Sequence, residues 1–376
     1  MSSGMDRVVD VLDRVERFPV EIMPEYCVRL RHRASTCTRC TDACPVGAIT
    51  WDEGPRIDRD KCAGCGICAT ACPTAALEAT APTNDEMLAQ IQQIVEKQGW
   101  VAFACAQAQE GAGDNCLTVN CLGRLDDGLL VSAVGFGARA VWLIDSACAS
   151  CPKAAGHRAA EVMAHRANAL LEAFGVKTRV EFRQDVPAGS SGAGQGVSRR
   201  GLFKVLTRET VRVGEIAVGQ PKNGSGAGAP PAQKKGELPK ALPSSRVLLL
   251  AALQRLGVPA VAGLAGEKGA SFARFQLGEG CTGCQMCAFF CPTGALSRVV
   301  DGNRVGLAFR VSHCVNCGLC RDLCYRGAAL MYDEVDLNKV LTMAVDWCFA
   351  QEMDAEPWKR GPSDTVLREI AGVTGA

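Results

Sequence analysis

Aromatic side chains are scarce, 5% of the 376 residues, so rings cannot supply the usual share of a buried interior. A charge excess of either sign is also missing. Forty-one basic side chains face 40 acidic ones, a net charge of +1, which argues against a global preference for nucleic acid or anionic membrane. There is no long uninterrupted apolar run. Arg246 to Gly266 comes nearest, but Gln254, Arg255, Gly257 and Pro259 break it too often for an integral membrane segment. Met1 to Arg17 has no apolar h-region and does not read as a secretory signal. Its Val8, Val9, Leu12 and Val15 instead predict an amphipathic helix over residues 1–24. Ser198-Arg199-Arg200-Gly201-Leu202-Phe203-Lys204 looks like a twin-arginine signal. It lies mid-chain and is followed by Thr207-Arg208-Glu209-Thr210 where an apolar stretch is needed, so it reads as a capped helix. Gly-x-Gly-x-x-Gly after a strand, a phosphate loop and a Ser/His/Asp set are all absent, which leaves catalytic residues unassigned.

What the chain has in excess is cysteine: 22 residues, mostly in C-x2-C groups. That grouping points to metal ligation in a reducing, cytoplasmic setting and not to a disulfide framework. Cys281, Cys284, Cys287 and Cys291, followed by Pro292, form the iron–sulfur run C-x2-C-x2-C-x3-C-P. Two-residue gaps let three sulfurs converge on one cubane, while the fourth faces away to a second cluster. Cys314, Cys317, Cys320 and Cys324 supply the partner run. The pair recurs upstream as Cys37, Cys40, Cys44 and as Cys62, Cys65, Cys68, Cys72. Cys44-Pro-Val-Gly-Ala, Cys72-Pro-Thr-Ala-Ala, Cys291-Pro-Thr-Gly-Ala and Cys324-Tyr-Arg-Gly-Ala repeat one phrase, with Tyr325 replacing proline in the last. Zinc favours C-x2-C pairs a dozen or more residues apart and fits poorly. The whole pattern resembles the two-cluster bacterial ferredoxins, present twice, at 25–80 and 271–335. The resemblance implies four 4Fe-4S clusters. Cys37, Cys40 and Cys72 would share one, and Cys44, Cys62, Cys65 and Cys68 the next. Cys281, Cys284, Cys287 and Cys324 would hold the third, and Cys291, Cys314, Cys317 and Cys320 the fourth.

The first copy departs from the pattern at Ala34, where cysteine is expected. Cys27 is the candidate substitute, since the short intervening loop folds back easily. His32 and a three-iron cluster are the alternatives. The arginines of Arg29-Leu-Arg-His-Arg33 read as a solvated face. Ile49 to Ile57 reads as a short hairpin around Glu53-Gly54-Pro55.

Residues 84–185 change character. A helix at Asp85–Gln98 is followed by strands at 101–105, 116–121, 140–145 and 177–183, with helices at 127–136 and 153–174. That alternation predicts a parallel α/β sheet. Cys105 and Cys121 end strands, and Cys148 and Cys151 follow the third, at the sheet edge where such folds hold ligands. Pro152 suggests a helix start. Four convergent thiolates suggest a fifth centre, either iron–sulfur or a zinc knot with four cysteine ligands. Cys116, at the opposite end of its strand, reads as a small apolar residue. Phe103-Ala-Cys105, Cys121-Leu-Gly-Arg124-Leu-Asp126 and Cys148-x2-Cys151-x4-Gly156-His157-Arg158 resemble the small iron–sulfur (delta) subunit of methyl-viologen-reducing hydrogenases. The resemblance implies one 2Fe-2S cluster and electron passage from a catalytic subunit to a heterodisulfide-reductase-like flavoprotein. Here the second cysteine that this family has soon after its equivalent of Cys105 is missing, and the last pair is closer.

Residues 186–243 turn to Gly, Ser, Ala and Pro and read as a linker, with one helix at Ser198–Val213. A docking helix falls in 244–270, and a C-terminal helix from Asp336 in 336–376, with Cys348 as a packed residue. The expected fold is therefore α+β, two ferredoxin-like dicluster modules plus a central α/β parallel-sheet domain, with cutting of the linker leaving two independent halves. The expected role is that of a non-catalytic electron-transfer subunit between a catalytic oxidoreductase and a flavoprotein or soluble carrier. The alternative is a ferredoxin-type accessory protein that assists maturation of a partner enzyme.

Overall fold

The computed structural model describes residues 18–108, 116–187, 238–264, 271–301 and 304–349. The first lobe begins with strand β1 (Val20–Ile22), a 3-10 turn (Pro24–Tyr26) and helix α1 (Val28–Arg31). Helix α2 (Arg39–Ala43), the hairpin β2 (Ile49–Trp51) and β3 (Pro55–Ile57), helix α3 (Ile67–Ala71) and strand β4 (Leu77–Ala79) follow. β1 closes the lobe by pairing antiparallel with β4, Val20 opposite Ala79. Residues 18–23 are thus no helix. Val20 is buried while Glu21 is exposed, the two-residue alternation of a strand. The rest of the expected N-terminal helix lies outside the described residues. Both α2 and α3 are short because a Cys-Pro step follows each, at Cys44 and Cys72.

In the central lobe, helix α4 (Asn84–Gln98) starts at a capping box between Thr83 and Glu86 and stops at left-handed Gly99. Strands β5 (Val101–Cys105), β6 (Leu117–Val119), β7 (Val141–Ile144) and β8 (Val180–Arg183) form one parallel sheet in the order β6-β5-β7-β8. Helices α5 (Asp127–Gly135) and α6 (Ala155–Ala173) accompany it. β5 and β7 are buried almost throughout, as expected for strands covered on both faces. α6 starts three residues after Pro152. Cys151 to Ala154 instead form a turn, with the Ala154 N–H on the Cys151 carbonyl at 3.0 Å.

Helix α7 (Ser244–Leu256) lies across α5 and buries Leu248, Leu249, Ala252 and Leu253. Gly128 permits the close approach, since a Cβ there would fall 2.8 Å from the Ser245 carbonyl. Strand β9 (Gly263–Leu264) follows α7. The last lobe repeats the element order of the first: β10 (Arg274–Leu277), α8 (Met286–Phe290), the hairpin β11 (Leu296–Asp301) and β12 (Arg304–Arg310), α9 (Leu319–Asp322) and β13 (Ala329–Tyr332). β10 pairs antiparallel with β13 as β1 does with β4. Beyond it come β14 (Val335–Asp336), which pairs with β9, helix α10 (Leu337–Leu341) and strand β15 (Val345–Phe349). The helix expected from Asp336 is therefore one short turn. Val345-Asp-Trp-Cys-Phe joins β12 as an edge strand instead, with Cys348 opposite Leu307. The expected Ser198–Val213 helix lies outside the described residues.

The lobes touch. Val28 of α1 packs with Met286, Leu319 and Leu323 of the last lobe, with Cys37, Cys284, Cys287, Phe290 and Cys317 around them. The end of the linker is docked too: Lys240 donates to the Ala288 carbonyl at 2.8 Å and the Ala241 N–H to the Pro292 carbonyl at 3.0 Å. Among the described residues, no helix is long and apolar enough to cross a membrane.

Candidate metal centres

Twenty thiols fall into five groups of four by which of them act on one another electrostatically. In site I, the Cys40 thiol is pushed up to about 11, by burial first and then by Cys72, Cys37 and Cys27 beside it. Cys27 caps α1 after the Pro24–Tyr26 turn, and the fold brings it back to the other three. The His32 ring is engaged elsewhere. Its Nδ1 accepts from the Ala34 N–H at 3.1 Å and its face meets Phe290 at 4.8 Å between centroids. In site II, Cys68 is pushed up to about 12 by burial, then by Cys65, Cys44 and Cys62. Cys40 and Cys44 flank the C-terminal half of α2, so one helix end serves both sites.

Site III lies at the carboxyl edge of the parallel sheet. Burial raises Cys148 to about 11, followed by Cys105, Cys121, Asp145 and Cys151. Gly156 is required here, because a Cβ at that position would collide with the Cys121 sulfur. His157 turns to Asp145, Nε2 to Oδ2 at 3.0 Å, and packs on Phe182. Cys116 precedes β6 at the other end and packs near Trp100, Ala102 and Trp142.

In site IV, Cys317 is pushed up to about 12, chiefly by burial and then by Cys291 and Cys314. Cys320 is raised by burial and by the same three thiols. In site V, burial and then Cys284, Cys281 and Cys324 raise Cys287. Cys348 lies in β15, partly buried against the core.

The surroundings of these thiols suit anionic clusters. Loop amides point at sulfur: Ala48 N–H to Cys44 at 3.2 Å, Lys153 N–H to Cys151 at 3.4 Å and Gly283 N–H to Cys281 at 3.4 Å. Left-handed Gly64, Gly66, Gly283 and Gly318 turn the ligand loops tightly. The Cys-Pro-Thr phrase sets a threonine hydroxyl near sulfur twice, Thr74 by Cys72 and Thr293 by Cys291. Crowded, buried thiols hold their protons, so loading of each site must release them. Among the described residues, no three His, Cys, Asp or Glu side chains close to the spacing of a single ion.

The sites also neighbour one another. Cys121 of site III feels Cys65 of site II. Cys37 of site I and Cys317 of site IV share one apolar cluster. Cys320 of site IV feels Cys287 of site V. The resulting order is III, II, I, IV, V.

One charged face differs from its expected solvated state. Arg29 stacks on Trp51 at 4.0 Å, but Arg31 is buried, 8% exposed, between the first and last lobes. A four-residue helix gives too short a stripe for periodicity to reveal its inner face. The burial of Arg124, Asp126, Asp127 and Arg246 likewise does not follow from the sequence, where Arg124 and Asp126 stand only as part of a motif. Asp126 caps α5 through the Leu129 N–H at 2.8 Å. The acidic pair before an apolar run is the only available signal.

The comparisons agree on the class. Residues 33–76 match the 4Fe-4S dicluster domain family. The chain therefore carries a 4Fe-4S dicluster ferredoxin domain over these residues. Among known proteins, it is 40% identical over 52 residues to the uncharacterized ferredoxin-like protein YdhY of Escherichia coli K12, covering 12% of this chain and 25% of that one. It is 54% identical over 46 residues to the isethionate sulfite-lyase activating enzyme of Desulfovibrio desulfuricans, 11% of this chain and 15% of that one. It is 41% identical over 51 residues to the electron transport protein HydN of Escherichia coli K12, 12% of this chain and 29% of that one. The chain thus spans less than a third of each of these relatives. No solved structure matches it.

Proposed function

We propose that this protein is a multi-cluster electron-transfer subunit that relays single electrons between a catalytic oxidoreductase and a flavoprotein or soluble carrier. Sites I, II, IV and V are assigned 4Fe-4S clusters, with Cys27 completing site I, and site III a 2Fe-2S cluster. When bound, the clusters supply the one-electron chemistry. The chain's own part is to hold the sites in file, exclude water and set local charge. The single observation that carries the proposal is the contiguity of five four-thiol groups across three lobes. The similarity over 51 residues to an electron transport protein supports it.

The test is metal analysis and EPR of the full chain purified without oxygen. About 16 iron atoms in four cubanes are expected, and two more at site III. One zinc and no visible absorbance assigned to site III would remove the fifth cluster. Reduction of the clusters by the substrate of a co-purifying enzyme would establish the relay, whereas association only with a metal-free partner would replace it by a maturation role.

A further inference from the structure

Arg31 is a buried cation satisfied by neutral groups. Nε donates to the Glu25 carbonyl at 2.7 Å, Nη1 to the Phe290 carbonyl at 3.3 Å, and Nη2 to the Pro239 carbonyl. Those three acceptors come from the first lobe, the last lobe and the docked end of the linker. None of the ion pairs among the described residues includes this guanidinium. A buried charge left without an ionic partner is costly. Of the acidic groups that act on it, Cys291 of site IV acts most strongly, ahead of Tyr26, Cys317 and Glu25. Phe290, which accepts from Arg31, is the residue immediately before Cys291.

We propose that Arg31 is an internal counter-charge at the junction of sites I and IV, and that it raises the reduction potential of the cluster at site IV. This rests on the function proposed above. A cubane held by four thiolates is anionic, and reduction makes it more so. A fixed cation in a low-dielectric setting therefore favours the reduced form. Its three carbonyl bonds pin the cation between two lobes, so the junction and the charge are set by one side chain. Arg39 offers a natural contrast. It also acts on Cys317, but its guanidinium bonds the Asn316 carbonyl at 3.2 Å from an exposed position, where water screens it.

The experiment is an anaerobic potentiometric EPR titration of the full chain, with iron content measured alongside. The site IV couple is assigned by its change in Cys320→Ser. Arg31→Gln should keep its iron and move that one couple to lower potential, with the others in place. Arg31→Lys, which keeps the charge and loses the fork, should leave the couple where it was, and Arg39→Gln should move it less than Arg31→Gln does. No movement in Arg31→Gln, or an equal movement in Arg31→Lys, overturns the proposal. Loss of iron from both Arg31 variants makes Arg31 a folding residue and overturns it as well. A wild-type chain without cubanes would instead sink the function on which the proposal rests.

Discussion

Apart from α1, the first and last lobes run through the same order of strands, main helices and thiols, yet they obtain one thiol differently. In the last lobe Cys281 stands three residues before Cys284, and in the first lobe Ala34 stands at that place before Cys37. Cys27 reaches the group from upstream, through α1 and a turn in which the Ser35 N–H bonds the His32 carbonyl at 3.0 Å. That detour does more than replace a ligand. It lays α1 against the last lobe, where Val28 packs and Arg31 is buried. In the last lobe the first thiol sits within the run itself, whereas recruiting it from upstream in the first lobe brings an interface with it. The hairpins differ in the same sense. β2 and β3 have three residues each, while β11 and β12 have six and seven and accept β15 as a third strand.

The largest expected effect breaks the comparison at its centre. Cys27→Ser should convert one cubane to a three-iron form, visible by EPR of the oxidised protein, as Cys281→Ser should at site V. Cys348→Ser should change nothing. A wild type that already shows the three-iron signal, unaltered in Cys27→Ser, would leave Cys27 as a packed thiol only.

A second variant sets both lobes against the central sheet. Gly156→Ala drives a methyl group into the Cys121 sulfur, closer than any real contact. It should abolish metal at site III while the four cubanes remain, as read by metal content and absorbance. Retention of site III metal would show that α6 can retreat.

Proteolysis between residues 221 and 237 tests whether the lobes stand alone. The linker composition suggests independent halves, but α7 from the C-terminal half is buried on α5. Each of Leu248, Leu249 and Leu253 contributes about 1.5–3 kcal/mol by burial. The cut pieces should therefore co-elute in size exclusion with their iron intact. Separate elution would restore the reading of two independent halves.

The smallest effect concerns Asp126. Burial pushes its carboxyl up to about 6, helped by Asp127 and opposed by Arg124. A carboxyl whose pKa is raised on folding stabilises the fold fully only below its unfolded value. That stabilisation is lost as pH rises through about 6. Asp126→Asn keeps the cap on α5 and should stabilise the protein by about 2–3 kcal/mol at pH 8 and by about half as much at pH 5. Anaerobic thermal unfolding at the two pH values reads the difference, and an equal change at both would show that the carboxyl is not the cause.

The alternating strands and helices of the central lobe were legible because apolar spacing, as in the helix read at Asp85–Gln98, is local, whereas the capping box of Thr83 with Glu86 emerged only in the structure. β15 was not legible, since Leu337, Val340, Leu341 and Ala344 keep helical spacing up to its edge. Only pairing with β12 selects the strand that follows.

By itself, the sequence determined the thiol loops. Their two-residue gaps, glycines and Cys-Pro steps act within a few residues and need no distant partner. Tertiary structure alone decided which lobes meet, in what order the five thiol groups stand, and that Arg31 faces inward. Those outcomes depend on burial between segments more than 200 residues apart, as in the Arg31 bonds to Pro239 and Phe290, and burial is a property of the packed whole.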